Sequence, residues 1–173
     1  MPELPEVQSI VYDLDKVLKG KVITAIESYY PTTLITDASL KENPFPAKVM
    51  AINRRGKYII LLLEKSNALI IHLRMTGKLI YADNTCAPLK YERTRIKLQN
   101  GKVLHFIDVR TFGKIILCSQ KKIDKYLPAL GLEPLDSEFT LAALKDKLKG
   151  KKAPIKIVLL NQSIIAGLGN IYV

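Results

Sequence analysis

The chain opens Met1-Pro2-Glu3-Leu4-Pro5-Glu6. Removal of an initiator methionine ahead of a small second residue would leave Pro2 with a free secondary amine. An α-amino group is about two pH units less basic than a lysine, so part of it is unprotonated and nucleophilic near neutral pH. Such an amine attacking a sugar C1′ gives an iminium, a covalent Schiff base, and carboxylates at Glu3 and Glu6 are placed to shuttle protons around that centre. The plainer alternative is that acids near a helix N-terminus simply favour its dipole. A second candidate is Gly167-Leu168-Gly169-Asn170-Ile171-Tyr172. Two glycines framing a leucine, ahead of an apolar helix start, would let backbone N–H groups approach a phosphate. Between these ends, Lys145, Lys147, Lys149, Lys151, Lys152 and Lys156 are offset by Asp146 alone, which reads either as a polyanion-binding face or as a solvated helix face.

The elements that must position these groups follow from apolar spacing. Val7, Ile10, Val11, Leu14, Val17 and Leu18 lie on one helical face between Pro5 and Lys19, with Gly20 as the exit. Short runs rich in Val, Ile and Leu then recur at 22–28, 48–53, 58–64, 68–73, 78–81, 94–98, 102–107 and 114–118. Asn100-Gly101 is a two-residue hairpin signal. About eight short strands at these intervals read as an antiparallel sandwich or barrel. Helical spacing returns at Ile123, Tyr126, Leu127 and Leu130 before Gly131, and again at Leu141, Leu144 and Leu148 before Gly150; a third helix opens at Pro154. Leu132-Glu133-Pro134-Leu135-Asp136 reads as a linker, and the pattern breaks off at Val173 in the first turn of another helix.

At 173 residues with 48% apolar content, the chain is long enough for a real core and is not a disordered or disulfide-stapled scaffold. Its only cysteines, Cys86 and Cys118, are in no C-x-x-C pair, so no cysteine metal site is expected, and both read as buried, reduced thiols of a cytosolic protein. The longest apolar run, Ile59 to Leu63, is far short of the roughly 18–20 residues of a membrane span, and no basic leader opens the chain. Charge is uneven. Residues 1–50 carry five basic and seven acidic residues, whereas residues 51–173 carry 22 basic and nine acidic ones. A basic excess confined to one part of a chain points to a polyanion, with nucleic acid the first candidate and solvated lysines the alternative.

Five segments together carry a resemblance. Pro2 to Val7, Arg54-Arg55-Gly56-Lys57-Tyr58, His72-Leu73-Arg74-Met75-Thr76-Gly77, Asp108-Val109-Arg110-Thr111-Phe112-Gly113 and Gly167 to Tyr172 occur in the order of the bacterial formamidopyrimidine-DNA glycosylase family, which the chain closely resembles. The resemblance implies an α+β fold: an N-terminal helix on an antiparallel β-sandwich over residues 1–131, then the start of a helix-two-turn-helix DNA-binding domain over 132–173. It implies a bifunctional base-excision repair enzyme, an N-glycosylase with lyase activity at abasic sites, which removes oxidised purines such as 8-oxoguanine and formamidopyrimidines. Pro2 matches the Schiff-base nucleophile, Glu3 the acid that assists opening of the deoxyribose, and Glu6 a second carboxylate beside the sugar. Lys57 matches a phosphate-contacting proton donor for β-elimination; without the motif it reads as a solvated hairpin lysine.

Met75, Arg110 and Phe112 match side chains that fill the space left when a nucleotide flips out. The residue types suit that task, because extrusion costs a few kcal/mol of stacking that an apolar wedge offsets, while Arg can bond the orphaned base. Ordinary core packing is the alternative for Met75 and Phe112, and Asp108 could pair with Arg110. Lys152, Lys156 and Asn170 match contacts to phosphate or the damaged nucleotide. Tyr91 stands where the family usually has His, and Val109 and Thr111 stand where Pro and a basic residue are common, which weakens those contacts. Family members continue into a closing loop and a four-cysteine zinc finger that do not follow Val173. The expectation is therefore no cofactor in this chain, one zinc ion in a full-length member, weak and salt-sensitive binding of lesion-bearing double-stranded DNA, little turnover, a monomeric state and a place in the bacterial cytosol or nucleoid. Two other readings are a related endonuclease VIII enzyme for oxidised pyrimidines, disfavoured by Leu4 and by the Arg110/Phe112 arrangement, and a non-catalytic DNA-binding remnant.

Overall fold

Helix α1 (Leu4–Leu18) buries Leu4, Val7, Val11, Leu14 and Leu18 along one stripe, as the three-and-four spacing predicts. Pro5 sits in its first turn, where a missing N–H costs no hydrogen bond, and Gly20 leaves the helix at φ +78°. The structure is a computed structural model that describes residues 1–40 and 42–173. Among the described residues nine strands follow: β1 (Val22–Ser28), β2 (Leu34–Thr36), β3 (Ala47–Arg55), β4 (Tyr58–Leu63), β5 (Asn67–His72), β6 (Lys78–Asp83), β7 (Glu92–Leu98), β8 (Lys102–Ile107) and β9 (Lys114–Ser119). Eight coincide with the apolar runs. The ninth, β2, has three residues and no readable period, and its pairing with β9 is the one parallel ladder among the described residues.

The strands form one hydrogen-bonded order, β2-β9-β5-β4-β3-β1-β7-β8-β6. The seam between β3 and β1 is held by only two residue pairs, Val22 with Lys48 and Ile23 with Ala47. Side chains from both sides of that seam meet in a single core: Ile59, Leu61, Leu69 and Ile71 from one half, Ile96, Leu104 and Phe106 from the other, with the α1 stripe. The sandwich is thus one sheet doubled over, the usual resolution for a strongly twisted sheet of this many strands. Strand β5 is buried on both faces because its second face, Ala68 and Ile70, together with Cys118 of the adjacent β9, lies under Ile123, Tyr126 and Leu127.

Three expectations need correction. Cys118 is buried, and burial pushes its thiol up to about 11, but Cys86 is exposed in the polar loop before β7. The helix read over 123–130 is a 3₁₀ turn (Gln120–Lys122) and a single turn α2 (Ile123–Tyr126), since Pro128 forces the preceding residue toward extended backbone. Past α2, residues 132–136 are not a free linker, because Leu132 bridges to Ile165 and Glu133 is buried.

Helix α3 (Leu141–Leu148) is capped by the Thr140 hydroxyl, which accepts from the Ala143 N–H at 3.1 Å, and α4 (Ile155–Leu160) follows Pro154. Val158, Ile164 and Ile165 form a small second core with Phe139, Leu144, Leu148 and Leu168. Among the described residues no helix is long and apolar enough to cross a membrane.

Candidate functional site

Glu3 immediately precedes α1 and is 2% exposed. Its carboxylate accepts from the backbone N–H groups of Gly169 (2.6 Å), Ile171 (2.9 Å) and Tyr172 (3.4 Å). The glycine turn expected to face a phosphate therefore receives a protein carboxylate, because a cluster of backbone donors accepts any anion that fits it. Both glycines are needed for this approach. A Cβ at Gly167 (φ +94°) would come within 2.6 Å of Leu4, and one at Gly169 would run into the Glu3 carboxyl. Residues 170–172 form a single turn closed by the Val173 N–H donating to the Gly169 carbonyl at 3.3 Å, in keeping with the helix start expected there. Gln162 braces that turn, donating to the Leu160 and Leu168 carbonyls and accepting from the Gly167 N–H at 2.9 Å. Glu6 accepts from the Glu3 N–H at 2.8 Å and from the Tyr172 hydroxyl at 2.7 Å, and the hydroxyl holds its carboxyl below the usual range.

Lys57 sits in the β3–β4 turn, which is tied to the C-terminal segment by Glu133. That carboxylate accepts from Arg54 Nη1 (2.5 Å), Arg55 Nη1 (2.7 Å) and the Gly56 N–H (2.5 Å). Burial alone would raise the Glu133 carboxyl, but the Gly56 N–H and the two guanidiniums outweigh it and hold it below the usual range. Arg55 also donates to the Leu130 and Gly131 carbonyls, and Arg54 Nε to Gln8 at 2.7 Å. Held there, Lys57 is 7% exposed, not a solvated hairpin lysine. Burial lowers its ammonium pKa, and the carboxylates of Glu3 and Glu6 offset part of that shift.

Beside Lys57, burial pushes His72 down to about 4, reinforced by the Arg74 and Lys57 charges, so the imidazole is neutral near pH 7. Its Nδ1 accepts from the Arg74 N–H at 3.0 Å, which puts the ring proton on Nε2. Lys57, Tyr58, His72, Arg74 and Asn170 line a cavity of about 490 Å³ whose wall includes Met1. Pro2, next in sequence to Met1, is half-buried.

Met1 and Arg74 also line a second cavity, of about 440 Å³, with Met75, Thr111, Phe112 and Lys114. Here Met75 and Phe112 are 48% and 50% exposed, against the core-packing alternative. The Arg110 guanidinium lies 4.9 Å from the Phe112 ring centroid, and its Nη1 is 3.1 Å from Met75 Sδ. Asp108 does not pair with that guanidinium; it accepts from backbone N–H groups and the Thr76 hydroxyl instead.

Tyr91 is exposed at φ +64°, its carbonyl accepting from the Asp108 N–H at 3.0 Å. Lys152 and Lys156 are exposed and line neither cavity. Sequence reasoning did not single out His72, Arg74, Gln162 or Tyr172 as site residues, nor Glu133 as more than part of a linker. The first two lie inside a motif already noted, whereas nothing in local composition marks Gln162 or Glu133. Among the described residues no group of three His, Cys, Asp or Glu could hold a metal, and Cys118 and Cys86 lie in unrelated surroundings. These residues do not fit a zinc site.

Comparison with known proteins places this arrangement in context. A sequence model described as the formamidopyrimidine-DNA glycosylase N-terminal domain matches residues 1–115, and one described as the formamidopyrimidine-DNA glycosylase H2TH domain matches residues 130–173. A formamidopyrimidine-DNA glycosylase from Pelotomaculum thermopropionicum is 40% identical over 99% of this chain and 64% of its own length. One from Protochlamydia amoebophila is 41% identical over 100% of this chain and 63% of its own length. Two solved structures of the Lactococcus lactis protein are also similar. Its complex with N7-benzyl-Fapy-dG DNA superposes with a TM-score of 0.88 at 36% identity, covering 99% of this chain and 64% of that one. Its complex with abasic-site DNA gives 0.86 at 34%, covering 98% and 64%. The chain thus spans about 64% of the length of the relatives it matches.

Proposed function

The chain belongs to the formamidopyrimidine-DNA glycosylase family, and from that membership we propose that it carries the chemical centre of an enzyme that excises oxidised purines from double-stranded DNA and then cleaves the strand. The observation that carries the reading is a buried lysine and a buried carboxylate gathered at the N-terminus beside an exposed apolar wedge. With Met1 removed, the Pro2 nitrogen attacks C1′ of the damaged nucleotide, the glycosidic bond breaks with its electron pair passing to the base, and the base leaves protonated. The sugar then opens as an iminium on Pro2, with O4′ taking a proton. Glu3, held as a carboxylate by its backbone hydrogen bonds, takes the proton that the Pro2 nitrogen sheds on bonding C1′ and delivers it to O4′, while the proton that leaves with the base comes from solvent. A C2′ proton passes to solvent as the C3′–O bond breaks and the 3′ phosphate leaves, and loss of a C4′ proton to solvent then breaks the C5′–O bond and releases the 5′ phosphate.

Lys57 supports this sequence as a phosphate contact and proton donor, since a lysine with a depressed pKa gives up its proton more readily than an ordinary one. Neutral His72 presents an N–H donor to the same cavity. Met75, Arg110 and Phe112 fill the vacated stack, while Tyr91, Asn170, Lys152 and Lys156 contact the backbone or the displaced nucleotide. The catalytic domain is assigned to residues 1–131 and the DNA-binding domain to 132–173.

Borohydride reduction of the chain, with Met1 removal verified by intact mass, is expected to trap a covalent adduct on a duplex containing 8-oxoguanine or an abasic site, and Pro2→Ala to slow its formation. Absence of an adduct from chain shown to lack Met1 overturns the reading. Preference for thymine glycol over 8-oxoguanine would move the substrate class to oxidised pyrimidines.

A further inference from the structure

The side chains of the wedge come from two separate turns. Met75 follows β5, whereas Arg110 and Phe112 follow β8. Each turn contains a non-glycine residue in the left-handed region, Arg74 at φ +54° and Thr111 at φ +60°. Such backbone conformations are strained and persist only where the surroundings hold them.

What holds them together is Asp108, 1% exposed. Its carboxylate accepts from the Thr76 hydroxyl in the first turn, and from the Gly113 N–H (2.7 Å) and the Arg110 N–H (3.2 Å) in the second. The Thr76 oxygen in turn accepts from the Arg110 N–H at 3.2 Å, so the bridge is double. From the other side Arg93 donates to the Asp108 carbonyl (2.6 Å) and the Val109 carbonyl (3.3 Å), with its guanidinium 5.3 Å from the Tyr30 ring centroid. A buried carboxylate whose bonds within this site go to neutral donors on two loops is an organiser of those loops.

We infer that Asp108 and Thr76 are positioning residues that couple the Met75 turn to the Arg110–Phe112 turn, so that the three side chains enter DNA as one rigid wedge. The inference rests on the wedge reading proposed above. Pre-ordering the turns removes an ordering cost that would otherwise fall at the moment of insertion, when stacked bases resist.

The test is a double-mutant cycle on the full chain, binding a duplex with a tetrahydrofuran abasic-site analogue and 2-aminopurine in the opposite strand, whose fluorescence reports unstacking. Met75→Ala and Phe112→Ala are measured singly and together, in the parent and in Thr76→Val. In the parent, the double variant is expected to weaken binding at least about threefold less than the product of the single effects, because losing either member already disables the unit. In Thr76→Val that non-additivity is expected to vanish, and Thr76→Ser, which keeps the hydroxyl, to retain it. Thermal unfolding accompanies each variant, and Thr76→Ala replaces Thr76→Val should the latter not fold.

Additive effects in the parent overturn the coupling and leave the wedge standing. Non-additivity that survives loss of the hydroxyl assigns the coupling to the direct Met75–Arg110 contact and also overturns it. Single variants without effect, or a parent chain without a fluorescence change, overturn the wedge reading itself.

Discussion

The chemical centre and the wedge share the wall formed by Met1 and Arg74, yet they are built in opposite ways. The centre buries charge: Glu3, Lys57 and Glu133 are all withdrawn from solvent, and the two carboxylates are held by ion pairs or backbone donors. The wedge leaves large apolar groups half in water, over a loop organised by neutral donors to Asp108. Desolvation alters the proton affinity of the reactive groups, so burial serves them. The wedge has no protein cover because the proposed cover is a base stack. If that contrast is real, breaking the centre harms the free protein, whereas truncating the wedge harms only the complex.

The largest expected effect is at the clamp behind Lys57. Glu133→Ala removes the acceptor for Arg54, Arg55 and the Gly56 N–H at once, leaving a guanidinium whose side chain is 6% exposed without its counter-charge. Breaking one partner of such a buried pair costs about 3–5 kcal/mol, read from the shift of the urea midpoint at constant slope. A loss below about 1 kcal/mol would mean that the clamp is incidental and the contrast false.

The second expectation uses pH. His72 titrates near 4 in the folded chain and near 6.5 when exposed, so between those values the unfolded chain binds more protons than the folded one. Stability therefore falls as pH drops from about 6.5 toward 4, by up to roughly 3 kcal/mol from this group. Comparing the stability–pH slopes of the parent and His72→Gln over that window isolates the contribution, and equal slopes would place the imidazole in water.

These two residues also show what the sequence could and could not disclose. Period alone located α1 and eight strands, because a stripe or an alternation that must face a core is written in consecutive residues. It missed β2, where three residues carry no period, and it overran α2, where Pro128 cut a spacing that otherwise continued. Glu133 was unreadable for a different reason. An acid in a proline-containing stretch is ordinarily a solvated linker residue, and its burial depends on two arginines about 80 positions earlier. The same holds for Glu3, whose donors lie at the far end of the chain. Cys86 erred the other way, since the general tendency of thiols to be buried took no account of its polar loop. Motif order brought Met75, Arg110 and Phe112 together as candidates, but only three-dimensional contacts reveal that Asp108 serves the loops and not the guanidinium.

The smallest effect on stability is the sharpest probe of the contrast. Phe112 is half-exposed, its ring meets the Arg110 guanidinium, and no core cluster includes it. Phe112→Ala should therefore change unfolding free energy by no more than about 0.5 kcal/mol, the range for surface substitutions. Binding to abasic-site DNA should nevertheless weaken about tenfold, since stacking against an aromatic side chain is worth roughly 1–3 kcal/mol per base. Both quantities come from one variant, by thermal melting and by a fluorescence titration. A destabilisation above about 1 kcal/mol would return Phe112 to ordinary packing, the alternative its residue type allows. Unchanged stability with unchanged binding would leave an exposed phenyl ring with neither a structural nor a DNA-contacting role, and the opposition between a buried centre and an uncovered wedge would then lose its second half.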